Sequence, residues 1–366
     1  MKKCAAIILA AGLSSRMTVF KPLLKLGDMT LTDRLISIYQ QHGLDVILVT
    51  GWRRDELQAG IQSQGLQIVE NPCFRQGMFT SVQAGVKFLG DRYSAFFIQP
   101  VDIALVRGYT LKLLLEAHLR QPDYIIFPTF DGRRGHPTLI PAAFGPIILE
   151  SRPEGGLNTI LEKYPELTRE IKTADRHTIF DVDTPDDFHE LQERFETYEI
   201  PTIQECEAIL DLGNVSDEIR RHGQKVAEAA LAIAADLKRQ GISIEMEAVR
   251  TAALLHDLAK GQHKHDEAGG SLLREMGFIR VGNIVAVHTD LPREINDWES
   301  KIVFLADKLI KGTQRVSLSQ RYDPATRPFK ITMEISTQIA ARRKRAEEIK
   351  EELEKRLNHS LESLSF

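Results

Sequence analysis

The chain has 366 residues, 43% of them hydrophobic, and a formal net charge of −4. That length and apolar content suffice for two ordinary domains with separate cores. The acidic balance, with no basic block unmixed with acids, excludes nucleic acid as the main partner. Three cysteines without CxxC spacing exclude a disulfide framework and fit a reducing cytoplasm.

The opening apolar run is short and passes straight into a glycine turn at Gly12, so it reads as a buried strand rather than a signal peptide. No other run approaches membrane-spanning length, which argues against a membrane partner. Strand patterns follow at residues 5–9, 46–50, 95–99, 124–128 and 137–140, with helical patterns at 32–41, 77–88 and 109–119. Fully apolar strands separated by amphipathic helices predict a mostly parallel α/β sheet covered on both faces, a three-layer, Rossmann-like arrangement. Near residue 200 the grammar changes to helical periods only, at 202–212, 217–240, 245–258, 266–276 and 300–310. The last stretch, 331–357, sets Ile335, Ile339, Ala346, Ile349, Leu353 and Leu357 along one side of an amphipathic helix, with homodimerisation as its alternative use. Glu199-Ile200-Pro201-Thr202 is the linker, Thr202 capping the next helix. The expected domains are an α/β domain over 1–198 and an all-α domain over 200–366.

Small residues after strand one, Leu9-Ala10-Ala11-Gly12, let a backbone approach a ligand closely, and successive N–H groups there form a nest for phosphate oxygens. Arg16 and Lys21 add positive charge beside it, as a triphosphate needs during phosphoryl-type transfer. A plain strand-to-helix turn with surface cations is the competing reading. Leu9-Ala10-Ala11-Gly12-Leu13-Ser14-Ser15-Arg16-Met17, followed by Lys21-Pro22-Leu23-Leu24, resembles the signature loop of the nucleotidyltransferases that include the molybdenum-cofactor cytidylyl- and guanylyltransferases. The later segments Asn71-Pro72, Gln76-Gly77-Met78-Phe79-Thr80-Ser81, Pro100-Val101-Asp102, Arg134-Gly135-His136-Pro137 and Asp181-Val182-Asp183-Thr184-Pro185 keep that family's order over about residues 3–195.

The resemblance implies that Leu9, Ala10, Ala11 and Gly12 hold base and phosphates through the backbone, with Gly77 and Ser81 in the nucleotide site. Arg16 and Lys21 would neutralise the phosphates. Asp102 would hold Mg²⁺, with Asp183, or else Asp181, as a second ligand. Asp183 also reads as a helix cap. His136 would shape the substrate pocket, although a lone histidine is as readily structural. The implied reaction joins CMP from CTP to a molybdopterin-type cofactor and releases pyrophosphate. Ala11, where guanylyltransferases tend to carry glycine, favours CTP over GTP; another nucleotide or a phosphosugar acceptor stays open. Thr18 stands where the family usually has glycine.

Five of the eleven histidines fall between residues 222 and 288. His256-Asp257 on an apolar helix is costly to bury unless a metal or hydrogen bonds satisfy it, and imidazole with carboxylate suits a first-row transition metal. The order His222, His256-Asp257, Asp307 resembles the HD phosphohydrolases over about residues 201–321. The resemblance implies one or two Fe, Mn or Zn ions, with His265 and His288 as the further ligands of a two-metal subgroup. Lys260 and Arg315 are candidate phosphate partners, and His263 a neighbour of the site. A regulatory nucleotide-binding role without turnover is the alternative.

Overall fold

The structure is a computed structural model describing residues 3–14, 16–17, 19–152, 154–323 and 333–364, without the side chains of Glu334 and Ile335. Ser15, Thr18 and the start of the 331–357 stretch therefore lie outside the described residues. Contacts divide the chain into two compact units, Met1–Thr197 and Tyr198–Phe366.

The first unit runs β1 (Cys4–Ala10), a hairpin of β2 (Lys25–Leu26) and β3 (Met29–Thr30), α1 (Leu31–Gln41), β4 (Asp45–Thr50), α2 (Arg54–Gly60), β5 (Gln67–Glu70) and α3 (Met78–Leu89). It continues with β6 (Ala95–Pro100), α4 (Gly108–Arg120), β7 (Ile125–Phe130), β8 (Arg133–Arg134), β9 (Thr138–Pro141), α5 (Gly145–Glu150), α6 (Gly156–Leu161), β10 (Thr168–Lys172) and α7 (Pro185–Glu196). The main sheet has the order β10-β7-β9-β6-β1-β4-β5, with β8 paired to β7. All its long neighbours are parallel except β9, which runs antiparallel to β6 and β7. Alternate residues of β1 feed two cores: Ala6, Ile8 and Ala10 pack on one face, Ala5, Ile7 and Leu9 on the other. This is the mostly parallel three-layer architecture that the apolar strands predict. Two strands escape the apolar pattern, β5 and β10. Both are edge strands of polar composition that need bury little.

Chain order moves from β1 outward to β4 and β5, then returns to the other side of β1 for β6. The crevice beyond the carboxyl ends of β1 and β6 is thus a topological switch point, where open α/β sheets bind ligands.

The second unit is helical: α8 (Ile203–Leu212), α9 (Asp217–Arg239), α10 (Met246–Leu255), α11 (His265–Glu275), α12 (Ile279–Val285), α13 (Trp298–Leu309), α14 (Leu318–Arg321) and α15 (Met333–Leu357), with one hairpin of β11 (Ile310–Lys311) and β12 (Gln314–Arg315). A capping box at Thr202 and Glu205 starts α8. Helix α10 stops at Leu255, three residues short of the predicted end, because His256 leaves as its cap. The short α12 was hidden by its seven-residue length. Helix α15 packs on α13 and α9, burying Ala346, Ile349, Leu353 and Leu357 within its own unit, while Ile339 of the same stripe is half-buried.

Two close approaches need glycine. A Cβ on Gly223 would lie 2.8 Å from the Leu254 carbonyl oxygen, so glycine lets α9 bring His222 alongside the end of α10. Gly270 and Gly282 face each other's carbonyls, at 2.5 and 2.7 Å from the would-be Cβ atoms, and draw α11 against α12.

Asp33 ties α1 to the loop after α2. It accepts from Thr30 Oγ1 at 2.7 Å, from the backbone N–H of Gln62 and Ser63 at 3.0 and 2.9 Å, and from Ser63 Oγ at 2.7 Å. Burial pushes its carboxyl up, but these donors outweigh burial and hold it below the usual range. Asp33→Ala should lower unfolding stability by about 1–3 kcal/mol at neutral pH. The folded form keeps this carboxylate ionised to lower pH than the unfolded chain does. Its contribution is therefore full above the unfolded value of about 4 and fades as pH falls through the folded one. Denaturant titrations at pH 7 and pH 3 should show the gap between the two proteins narrowing at pH 3.

Candidate active sites

At the switch point, a cavity of about 490 Å³ is lined by Leu9, Ala11, Gly12, Arg16, Lys21, Gly77, Ser81 and Asp102, along with Phe74, Arg75 and Met78. Every transferase residue expected from sequence is among them except Ala10, Asp181, Asp183 and His136. The Ala10 side chain belongs to the core on the other face of the sheet. Asp183 reaches the cavity through its ion pairs: it accepts from Lys21 Nζ at 2.8 Å and from Arg16 Nη1 at 2.7 Å. The helix cap at this point is Thr184, closed by Asp187, so the Asp183 carboxylate stays free for the cations. His136 lies instead on a separate cavity of about 90 Å³ with Arg134, Asn158 and Glu162, too small for a cofactor-sized substrate. Burial lowers the pKa of its ring.

Asp102 follows β6 directly, and Lys21 Nζ stands 4.0 Å from its carboxylate. Burial raises the Asp102 pKa; Lys21 opposes that rise, while Asp183 and Asp181 add to it. Two carboxylates sharing one lysine suit a divalent cation that shares phosphate oxygens. Asn71, quoted only as part of a motif, has a structural job: its Nδ2 donates to Ser81 Oγ and Thr80 Oγ1, both at 2.9 Å, and sets the start of α3 against the cavity.

In the second unit, six predicted ligands converge from α9 (His222), the end of α10 (His256, Asp257), the start of α11 (His265), the residue run after α12 (His288) and α13 (Asp307). Two overlapping groups, His222–His256–Asp257 and Asp257–His265–His288, each hold their ligand atoms within 4.8 Å. Asp257 divides between them. Its Oδ2 faces His256 Nε2 at 3.5 Å and His222 Nε2 at 3.9 Å, while Oδ1 faces His265 Nε2 at 3.2 Å and His288 Nε2 at 3.7 Å. Asp307 Oδ1 closes the first group, 3.2 Å from His222 Nε2 and 3.6 Å from His256 Nε2.

His256 Nδ1 lies 2.8 Å from the Ala253 carbonyl and donates to it, which leaves Nε2 as a lone pair. That Nε2 is buried with no hydrogen-bond partner, an orphan that a metal bond would satisfy. Burial pushes the His256 pKa down to about 4, so its ring is neutral at physiological pH. Burial alone would raise Asp257 and Asp307. Hydrogen bonds from His265 and His288 hold Asp257 far below the carboxylate range, and Lys308 with His222 does so for Asp307.

A cavity of about 190 Å³ opens on this cluster, lined by Asp257, Lys260, His265, His288, Asp307, Lys308, Arg321 and Arg342. Lys260, one of the two cations singled out from sequence, lines this cavity, its Nζ 2.7 Å from Asp257 Oδ2. Arg315 does not: its guanidinium donates to the carbonyls of Leu361 and Leu364. The cations that replace it are Lys308, Arg321 and Arg342. Adjacency to Asp307 could have flagged Lys308; nothing in the sequence flags the two arginines. His263 is exposed.

The first unit has the sheet, loop and charge arrangement of a nucleotidyltransferase, the second the ligand set of an HD domain. Residues 6–168 match the MobA-like NTP transferase domain and residues 220–312 the HD domain. The chain is 32% identical over 199 residues to the molybdenum cofactor cytidylyltransferase of Escherichia coli (strain K12), covering 53% of this chain and 98% of that one. A probable molybdenum cofactor guanylyltransferase of Bacillus mycoides (strain KBAB4) is 22% identical over 37% of this chain and 66% of its own. Rv0371c from Mycobacterium tuberculosis H37Rv superposes with a TM-score of 0.47 at 22% identity, over 52% of this chain and 98% of that one. The chain belongs to the MobA-like NTP transferase family and carries an HD domain after its transferase domain.

If the two histidine–aspartate groups bind metal, elemental analysis of the purified protein should find a transition metal. The His256→Ala/Asp257→Ala variant should lose most of it while remaining folded by circular dichroism. Unchanged metal content in that variant would dismiss the ligand assignment.

Proposed function

We propose that the first unit transfers CMP from CTP to the terminal phosphate of a molybdopterin-type acceptor. The carrying observation is the convergence of Arg16, Lys21, Asp102 and Asp183 on the switch-point cavity. The Leu9–Gly12 backbone and Arg16 seat the triphosphate, Ser81 and Gly77 border its nucleoside, and Lys21 moves from Asp183 onto phosphate oxygen. Asp102 and Asp183 would hold Mg²⁺, which when bound neutralises the charge gathered on the phosphates. An acceptor phosphate oxygen attacks the α-phosphorus of CTP, the bond to the β-phosphate oxygen breaks, and pyrophosphate leaves. The name of the Escherichia coli relative and Ala11 in the cavity wall support CTP over GTP.

The second unit is proposed as a phosphohydrolase, on the orphan His256 Nε2 and the carboxylate of Asp257 shared between two histidine groups. Iron, manganese or zinc held there would activate water and neutralise the phosphate under attack. Lys260, Lys308 and Arg321 supply cations to the phosphate oxygens. Among the described residues no helix is long and apolar enough to cross a membrane. The cysteines Cys4, Cys73 and Cys206 are free, which suits work in the cytoplasm.

With CTP and GTP at equal concentration and a molybdopterin acceptor, the cytidylyl product should predominate; a guanylyl excess would reassign the base. Lys21→Ala should lower kcat by roughly a hundredfold or more, since one preorganised charge is removed from the reacting phosphates. Asp102→Asn should abolish transfer in a protein that still melts cooperatively. Near-normal turnover in either variant contradicts the role given to that residue.

A further inference from the structure

The transferase cavity holds a cation that the proposed transfer does not use. Arg16 and Lys21, on the same cavity, both pair with Asp183. Arg75 lines this cavity too, yet among the described residues its guanidinium meets two ring faces and no carboxylate. It stands over Phe74 at 5.4 Å from the ring centre and over Trp52 at 5.8 Å. Ring faces hold a guanidinium in place without consuming its N–H groups, so a planar fork of five donors stays available.

The support beneath Arg75 is fixed from two sides. Gly51 stands between Ala11 and Phe74: a Cβ there would lie 2.9 Å from the Ala11 Cβ and 2.8 Å from the Phe74 Cβ. Glycine thus lets Phe74 close on the Leu9–Gly12 loop, and the Trp52 N–H donates to the Ala11 carbonyl at 3.4 Å. On the other side, Asn71 Oδ1 accepts from the Cys73 N–H at 2.9 Å, and Thr80 Oγ1 donates to the Cys73 carbonyl at 3.1 Å. The 3₁₀ turn Phe74–Gln76 then runs directly into Gly77. Arg75 therefore belongs with Ala11, Gly77 and Ser81, at the nucleoside end of the cavity.

Chemistry limits what the fork binds. Leu13 and Met78 line the same cavity, 42% and 60% exposed, an apolar surface that a ring would cover and a phosphate would not. Two parallel N–H groups need two adjacent acceptors in one plane. Cytosine presents such a pair at O2 and N3. Uracil has the same size but carries a hydrogen on N3, which would oppose a guanidinium donor. Adenine sets a donor beside each acceptor. Guanine offers O6 and N7, so the fork sorts cytosine from uracil and leaves cytosine against guanine to the Ala11 wall.

We propose that Arg75 reads the base in the transferase cavity, donating from two guanidinium nitrogens to O2 and N3 of cytosine. This rests on the reading of the first unit as a cytidylyltransferase, which puts the nucleoside beside Gly77 and Ser81. Calorimetric titration of CTP and UTP into the full chain in EDTA keeps metal-dependent turnover out of the measurement. The unaltered protein should bind CTP at least about tenfold more tightly than UTP, the discrimination of one bidentate pair. Arg75→Ala should weaken CTP about tenfold and UTP by no more than about twofold, which closes the gap. Arg75 is exposed, so the substitution leaves the core intact. Arg75→Lys keeps the charge but not the parallel fork, and should leave the preference as low as Arg75→Ala does.

Absence of CTP binding, equal affinity of the unaltered protein for the two nucleotides, equal weakening of both by Arg75→Ala, no change in either, or a full preference kept by Arg75→Lys would each overturn the base contact. Transfer to the molybdopterin acceptor with Mg²⁺ is assayed on the same proteins to separate the two readings. A CTP preference that depends on Arg75, without transfer, keeps the base contact and removes the cytidylyltransferase. Transfer from CTP with a preference indifferent to Arg75 keeps the transferase and removes the base contact.

Discussion

A carboxylate moved out of water costs several kcal/mol unless a counter-charge or donors move with it. Both units are organised by that constraint, and they meet it in opposite ways. In the first, burial and two neighbouring aspartates leave Asp102 undercompensated, with Lys21 as its nearest cation and that lysine spent mainly on Asp183. More positive charge is wanted there, of the kind a divalent cation would supply. In the second, histidines and Lys308 overcome the burial of Asp257 and Asp307 and keep both ionised. The surplus of positive charge continues outward along Arg321 and Arg342 toward the cavity mouth. One site is thus deficient in cations and the other rich in them.

What the sequence reveals follows from the same physics. Central strands are buried on both faces and so must be apolar, which made β1, β4, β6, β7 and β9 legible. The edge strands β5 and β10 bury little and kept polar residues, so periodicity passed over them. Site residues attached directly to a strand or helix end, such as Asp102 after β6 and His256 at the end of α10, could be read because the element places them. Arg321 and Arg342 could not, because their position depends on how α14 and α15 fold back on α13. Arg315 shows the converse: a cation close in sequence to Asp307 whose hairpin turns its guanidinium to the chain end.

Each unit carries its own candidate site. The groups that define the transferase cavity come from β1, β6, the start of α3 and the stretch before α7. The metal-ligand cluster draws on α9 to α13. Among the described residues, neither set includes a residue of the other unit.

The histidine cluster carries its order before any metal arrives. His256 and His288 each place Nδ1 2.8 Å from the carbonyl three residues back, Ala253 and Val285. That contact orients each ring so that its Nε2 points inward, and the helix backbone, rather than a mobile side chain, sets the direction; on His256 it leaves Nε2 as a lone pair. The close approaches at Gly223 and at Gly270–Gly282 then bring the helices bearing His222 and His265 within reach of the same carboxylate. Burying the neutral, partnerless Nε2 of His256 beside Asp257 lowers the stability of the unit on its own. A sequence that retains this arrangement retains it for what binds there. By linkage, a metal that binds only the folded form returns that stability in proportion to its affinity.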